Sequence, residues 1–584
     1  MRRILLPRVA ACGPLGGRGL GLVRARALGL RFSSSEPPAT ETITEAPTLP
    51  SFFSPPAAEM TKPFYVTTPI FYVNASPHIG HLHSVVLTDV LARFSRLRHP
   101  SRPVVFSTGT DEHGLKIQQA AARAGISEHA FCDDVSQRFR DLAVRANISH
   151  TDFIRTSEER HYRAVEAFWA KLYATGNVYK GTHEGWYSVS DESFFSAKQV
   201  EERDGKMIAT ETGNEVTWET EENWKFRLDA YKPQLQAWLA NPESVTPTHF
   251  HTAIAKEVEA AGELSISRPS SRVKWGVPVP GDESQTIYVW VDALINYLTV
   301  AGYPDAHAAW PADMHVVGQD IIRFHAFHWP ALLAAAGEAL PKRVRAHAHW
   351  TMHKAKMSKS RGNVADPLAA MDKFGADGVR WYLMRAGGSL PRDSDYSESE
   401  LEASYGRLQD QLGNLVSRLS SPKVLANVGS FEGKSVPHLD AALGGLRDEV
   451  EVRFEECNIS AACEAVLSML GDVNKFFTDA APWRGDGTAA VVYAHEALRL
   501  AGILTSPILP EKSGELLDRL AVPADKRTWD SAVLGEPDVQ AIVDGIGAGI
   551  QAFAGAPPLF PKIDDAGAQH MINPHNGGRK RRTK

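Results

Sequence analysis

Phe64-Tyr65-Val66-Thr67-Thr68-Pro69-Ile70-Phe71-Tyr72-Val73-Asn74-Ala75-Ser76-Pro77-His78-Ile79-Gly80-His81 is the run on which the fold turns. Phe64 to Tyr72 is rich in β-branched and aromatic residues, and Asn74 to Pro77 supply turn chemistry, so the run reads as a strand and then a turn. From Leu82 onward, Leu82, Val85, Val86, Val90, Leu91, Phe94 and Leu97 recur at helical spacing, which puts His78, Gly80 and His81 at a helix N-terminus. A second strand, Pro103 to Thr108, follows. Strand, helix, strand is the opening unit of an α/β fold with a doubly wound parallel sheet, whose ligands bind beyond the carboxyl ends of the strands. A phosphate at this helix start meets unpaired N–H groups and the positive end of the dipole. Gly80 allows close backbone approach, and the two imidazoles offer hydrogen bonds to phosphate oxygens as charge builds in a transition state. Alone, the His-x-Gly-His tetrapeptide reads equally well as two surface histidines capping a helix.

A second segment, Lys356-Met357-Ser358-Lys359-Ser360, gives the first its meaning. It lies in a basic stretch with Lys342, Arg343, Arg345, Lys354 and Arg361 and without an acidic residue before Asp366. A charge run is commonly a solvated face. Here Ser358, Ser360 and Gly362 suit a loop that closes over a substrate, where Lys356 and Lys359 stabilise a pentacoordinate phosphorus and a departing pyrophosphate. Together the two segments point to adenylyl transfer.

With both segments in hand, the chain resembles the class I aminoacyl-tRNA synthetases and, among them, the methionyl-tRNA synthetases. The similarity runs from about Lys62 to Ala481-Pro482-Trp483 and includes Thr108-Gly109-Thr110-Asp111-Glu112-His113-Gly114 and Leu264-Ser265-Ile266-Ser267-Arg268-Pro269. It continues through Tyr288-Val289-Trp290-Val291-Asp292-Ala293 and Gly318-Gln319-Asp320-Ile321-Ile322-Arg323-Phe324-His325. The resemblance implies a catalytic nucleotide-binding sheet, a connective insert and an all-α anticodon-binding domain. It implies ATP-dependent ligation of methionine to its tRNA through an adenylate, with His78, His81, Lys356 and Lys359 as catalytic groups and Gly80 and Asp320 also at the ATP. A helix N-cap is the other reading of Asp320. The implied methionine pocket is Ile70, Tyr72, Trp290, Ala293, Leu294, Tyr297, Ile321 and His325, with Asp111 on the substrate ammonium. A thioether gains roughly 0.3–1.5 kcal/mol per aromatic contact, which suits Tyr72 and Trp290. Asn414, Arg418 and Trp483 match the positions that contact the anticodon, where unstacked bases stack on an aromatic and offer their edges to hydrogen bonds. Without the resemblance, Trp290, Tyr297 and Trp483 read as core aromatics.

The implied insert, about Lys180 to Arg268, is too short for the separate editing domain of isoleucine, valine or leucine enzymes. Ser188 and Asp191 stand where much of the methionine family has a Cys-x-x-Cys pair, and the chain's cysteines are Cys12, Cys132, Cys457 and Cys463. A thiolate zinc site cannot form in the insert, so the expectation is ATP with Mg²⁺ as substrate and no structural zinc. Cys457 and Cys463 read as buried on a helix.

Residues 1–31 hold seven arginines, Arg2, Arg3, Arg8, Arg18, Arg24, Arg26 and Arg31, without an acidic residue, and Ser33 to Ser35 follow. That is the make-up of a mitochondrial transit peptide, here 1–35, implying the matrix; a disordered basic arm is the other reading. Residues 36–62 read as a linker, 63–355 as the catalytic domain with insert 180–268, 356–400 as the lysine loop and stem-contact region, 401–555 as the α domain and 556–584 as an irregular basic tail. Leu408, Leu412, Leu415 and Leu419 show the α domain's helical spacing. No apolar run reaches the length of about 18 residues needed for a membrane span. The net charge of −6 gives no global basic field, so tRNA is met by local patches, and a monomer is expected. Two rivals remain: a simpler nucleotidyltransferase, which needs no large helical domain, and a synthetase-like RNA-binding protein without catalysis, against which the intact histidines and lysines argue.

Overall fold

Phe64, Tyr65 and Val66 have no solvent-exposed surface, as expected of a parallel strand covered on both faces. The computed structural model describes residues 61–190, 192–210, 212–352, 354–356, 365–388 and 393–563, with Ala355 and Lys356 described as backbone only. The expected transit residues 1–35, the catalytic candidate Lys359, Asp191 and the tail beyond 563 lie outside them. Among the described residues the main sheet comprises β1 (Phe64–Thr67), β2 (Phe71–Tyr72), β3 (Val104–Asp111), β4 (Asp152–Arg155), β5 (Val245–Thr246), β6 (Met314–Gly318) and β7 (Val344–His347). The order is β5, β7, β6, β1, β3, β4, all parallel, and β2 prolongs β1 along the same side of β3. Thr68-Pro69-Ile70 divides the expected single strand in two.

Helix α1 (Ile79–Arg98) carries the chain from β2 to β3; α2 (Leu115–Ala124) leaves the end of β3; α3 (Val289–Ala301) precedes β6. From β1 the chain crosses outward to β3 and β4, and the second half returns to set β6 on the other side of β1. The direction reverses between β1 and β6, the switch point where ligands bind in open parallel sheets.

The insert is built on a long antiparallel hairpin, Val178–Ser188 with Thr217–Phe226, paired from Val178↔Phe226 to Tyr187↔Thr217. Its strand Ser193–Phe195 folds back on Trp186 to Ser188. The stretch 180–268 is not one continuous excursion, because β5 rejoins the main sheet at Val245↔Val344.

After the lysine segment come α4 (Pro367–Gly387), broken at Gly375 (φ +72°), α5 (Glu398–Leu408), α6 (Asn414–Leu419), α7 (Pro437–Glu455), α8 (Ile459–Ala480), α9 (Thr488–Thr505), α10 (Pro510–Arg519) and α11 (Val539–Ala552). Leu408, Leu412, Leu415 and Leu419 are all buried. Cys463 is buried on α8, whereas Cys457, also buried, sits in the turn between α7 and α8 at φ +52° and not on a helix. One hydrophobic core runs without a break from Phe64 and Val66, through α1, into the helical region, and a second covers the sheet's other face. Phe94 of α1 stacks on Phe454 of α7 at 4.3 Å and meets the edge of Trp529 at 5.2 Å.

Arg380 of α4 is the polar counterpart of that shared core. Its guanidinium pairs with Asp89 of α1 at 2.7 Å, neither side chain having exposed surface, and donates to Ala146 O, Pro507 O and Ile508 O. Asp89 also accepts from Arg93 and from the Ser149 N–H and hydroxyl. Arg380→Ala is expected to lower unfolding free energy by about 3–5 kcal/mol, as breaking one side of a buried pair does. Urea unfolding measures this, and a loss under about 1 kcal/mol would mean that Arg93 and Ser149 satisfy Asp89 unaided.

Candidate active site

His78 is the N-cap residue of α1, with extended backbone. The Gly80 N–H donates to His78 Nδ1 and the His78 N–H to His81 Nδ1, each at 3.1 Å, so the two imidazoles form a reciprocal capping box. The rings stack at 3.8 Å, and His81 meets the edges of Phe71 and Phe139. Because both Nδ1 atoms accept, each neutral ring carries its proton on Nε2, which makes Nε2–H the donor. Gly80 has a reason beyond close approach to a ligand: a Cβ there would lie 2.9 Å from His78 Cε1.

The lysine segment is described at its two ends. Lys356 pairs in antiparallel register with Thr351, and the Ile79 N–H at the start of α1 donates to Ala365 O at 3.3 Å. Asp366 then caps α4 through the Leu368 N–H. The segment therefore leaves a strand and returns beside the histidine capping box.

Asp320 follows the end of β6 in a short turn whose N-terminal residue is Gly318, so it is not an N-cap. A Cβ at Gly318 would lie 2.7 Å from Asp320 Oδ1, and His349 Nε2 lies 3.0 Å from the same oxygen.

The expected methionine residues fall in two groups. Ile70 lies just before β2, while Tyr72 and Asp111 end β2 and β3 in register with each other. Asp111 is buried and its Oδ1 has no hydrogen-bond partner among the described residues. Burial, then the charge of Asp292, pushes its carboxyl well above the ordinary range. Trp290, Ala293, Leu294 and Tyr297 lie on successive turns of α3, facing the turn that bears Ile321 and His325. The Tyr297 hydroxyl donates to His325 Nε2 at 2.7 Å while His325 Nδ1–H donates to Ile321 O at 2.9 Å. Burial lowers the His325 ring to about 4, so it is neutral at pH 7. Trp290 stacks on Phe324 at 3.8 Å, nearly parallel.

The groups are joined by residues whose roles the sequence left unassigned. Asp292, on the α3 turn of Trp290, accepts from His113 Nδ1 at 2.6 Å and His161 Nε2 at 2.9 Å. Those imidazoles outweigh burial and hold its carboxyl down at about 2. Glu112 is locked by Thr110, Ser157 and a two-pronged Arg155. A Cβ at Gly109 would lie 1.9 Å from Ile154 O, so the close approach of β3 to β4 demands glycine. Presence in the 108–114 and 288–293 runs was the available signal for His113 and Asp292. Ser188 is buried at the hairpin end, and among the described residues no three or more His, Cys, Asp or Glu cluster to hold a metal.

In the helical region Asn414 and Arg418 lie one turn apart on α6. Asn414 donates to Asp410, while Arg418 reaches Asn474 and Thr478 of α8 and lies over Phe477. The chain leaves α8 through Ala481 at φ +44°, and Trp483 follows, 42% exposed.

A doubly wound parallel sheet with paired histidines at its first crossover helix and a lysine segment returning to the same helix start defines a class of protein. The model of the family described as tRNA synthetases class I (M) matches residues 64–206 and 203–420. A relative in Neurospora crassa named "Probable methionine–tRNA ligase, mitochondrial" is 40% identical over 585 residues, covering 93% of this chain and 91% of that one. The mitochondrial methionine–tRNA ligase of Homo sapiens is 44% identical over 505 residues, covering 80% of this chain and 85% of that one. A crystal structure of Mycobacterium tuberculosis methionyl-tRNA synthetase bound by methionyl-adenylate superposes with TM-score 0.76 at 39% identity, covering 82% of this chain and 99% of that one. The chain belongs to the methionyl-tRNA synthetases of class I.

Proposed function

We infer a two-step reaction in the cleft at the carboxyl ends of β1, β3 and β6. The chain ligates methionine to its tRNA at the expense of ATP, through methionyl-adenylate, in mitochondria. The substrate carboxylate attacks the α-phosphorus, the bond to pyrophosphate breaks, and a hydroxyl of the tRNA's terminal ribose then takes the acyl group and releases AMP. No side-chain nucleophile is needed, so catalysis is positioning and charge stabilisation.

The residue roles extend this reading. Nε2–H of His78 and His81 donates to ATP phosphate oxygens at the start of α1, Gly80 lies beneath the nucleotide, Asp320 takes the ribose, and Lys356 and Lys359 neutralise the departing pyrophosphate. Mg²⁺ accompanies ATP as part of the substrate, and the insert works without zinc. Asp111 binds the methionine ammonium; the apolar pocket of Trp290, Tyr297 and neutral His325 takes the thioether. The single observation that carries the amino-acid site is the buried Asp111 carboxylate, with one oxygen unpartnered among the described residues and Tyr72 beside it. Such a group fits a cation.

Amino-acid-dependent ATP–pyrophosphate exchange across all twenty amino acids tests the reading, with Lys359→Ala as control. Exchange with methionine alone, lost in the control, supports it; exchange with another amino acid overturns the specificity, and none overturns the chemistry. Asn414, Arg418 and the exposed face of Trp483 meet the anticodon of the tRNA, and the protein acts in the matrix as a monomer. Trp483→Ala is expected to lower aminoacylation by about 1–3 kcal/mol of stacking, roughly 5- to 150-fold, while exchange without tRNA is unchanged. An equal fall in both assays would remove the anticodon role.

A further inference from the structure

Glu192 comes from the insert but spends its carboxylate on the catalytic half. It is buried, holds a left-handed backbone (φ +50°), and follows the hairpin strand that ends at Ser188. The Tyr72 hydroxyl donates to its Oε2 at 3.1 Å, and the Lys116 N–H donates to its Oε1 at 2.8 Å. Lys116 is the second residue of α2, whose N-cap, Gly114, gives no side-chain cap. The carboxylate therefore caps this helix from 76 residues away in sequence. Gly114 makes room for it: a Cβ there would lie 2.8 Å from the Tyr72 hydroxyl and 3.2 Å from Glu192 Oε2. Arg268 fixes the other side, donating to Glu192 O at 3.4 Å from above the ring of Tyr288.

We propose that Glu192 is a positioning residue for the amino-acid substrate, holding Tyr72 and the start of α2 in place beside Asp111 so that the insert's tip sets the affinity for methionine. The proposal rests on the methionine reading of the site. Every contact of the Glu192 carboxylate named above falls on the ends of β2 and α2, where Asp111 lies, and none on the histidine capping box or the ends of the lysine segment. Its effect is thus on the amino acid and not on ATP. Its negative charge beside Asp111 also contributes to that carboxyl's raised pKa. A staple that merely keeps the insert folded would act on both substrates alike.

The test uses the full-length protein. Methionine Kd is measured by calorimetry, and exchange kinetics are taken against methionine and ATP separately for wild type, E192A, E192Q, Y72F and the double variant E192A/Y72F. E192A is expected to raise methionine Kd and KM at least tenfold, with KM for ATP and kcat at saturating methionine within twofold. E192Q keeps an acceptor oxygen and is expected to recover most of the affinity. Y72F should raise methionine Kd as E192A does, and the double variant should be no weaker than the worse single. Methionine Kd within twofold of wild type in E192A overturns the proposal. So does an equal weakening of methionine and ATP accompanied by a lower unfolding midpoint, or a methionine Kd in Y72F within twofold of wild type. Wild type that neither binds methionine nor exchanges with it would instead sink the functional reading, leaving the two failures distinguishable.

Discussion

His78→Asn is expected to lower kcat for pyrophosphate exchange by about 10²–10³-fold, the cost of removing one donor aimed at developing charge. The substitution separates catalysis from capping. His78 caps α1 through Nδ1, and asparagine is among the best N-cap residues, whereas alanine costs about 0.5–2 kcal/mol there. The unfolding midpoint of His78→Asn should therefore stay near wild type while activity falls. His81→Ala should lose activity too, but with stability, because its ring also packs on Phe71 and Phe139. Exchange rates and thermal unfolding of both variants decide the matter. Activity within tenfold of wild type in His78→Asn would reduce the capping box to a structural device.

Asp111→Asn should weaken methionine binding by about 2–5 kcal/mol, roughly 30- to 5,000-fold, by leaving the substrate ammonium without its buried counter-charge. The raised pKa of Asp111 fixes the sign of the pH dependence. In wild type the ammonium favours the ionised carboxylate, so methionine affinity rises with pH through the raised pKa and levels off above it; the asparagine variant loses that slope. Stability runs the other way. A carboxyl whose folded pKa is raised destabilises the fold once ionised, a cost absent below its unfolded pKa and complete above its folded one. At alkaline pH the free Asp111→Asn protein should thus unfold at a higher temperature than wild type, and the difference should vanish on acidification. Calorimetric titration with methionine across pH, paired with thermal scans, reads both. Unchanged affinity, or a pH slope surviving in the variant, would take the ammonium away from Asp111.

The opening run was legible because its signals are local. A β-rich stretch, a turn and helical spacing within about 35 residues set β1, the capping box and α1 in order. The role proposed for the α3 residues came only through resemblance, since Trp290 and Tyr297 at that spacing look like any buried face. What the sequence hid are contacts between distant segments. Glu192 reaches Tyr72 across 120 positions, and no periodicity records a helix capped from another domain. β5 has two residues, too few for an alternation. Cys457 shares its neighbourhood with helical spacing on both sides, and only the positive φ of the turn sets it apart.

The unbroken core from β1 through α1 to the helical region bears on how this chain is made and dismantled. A chain ending near residue 400 would present Phe94 to water where Phe454 and Trp529 cover it, and would leave Arg380 without the carbonyls of Pro507 and Ile508. The sheet is therefore no detachable module. Its maturation is expected to await synthesis of the last helices, and α1 and the helices packed on it are expected to melt as one cooperative unit.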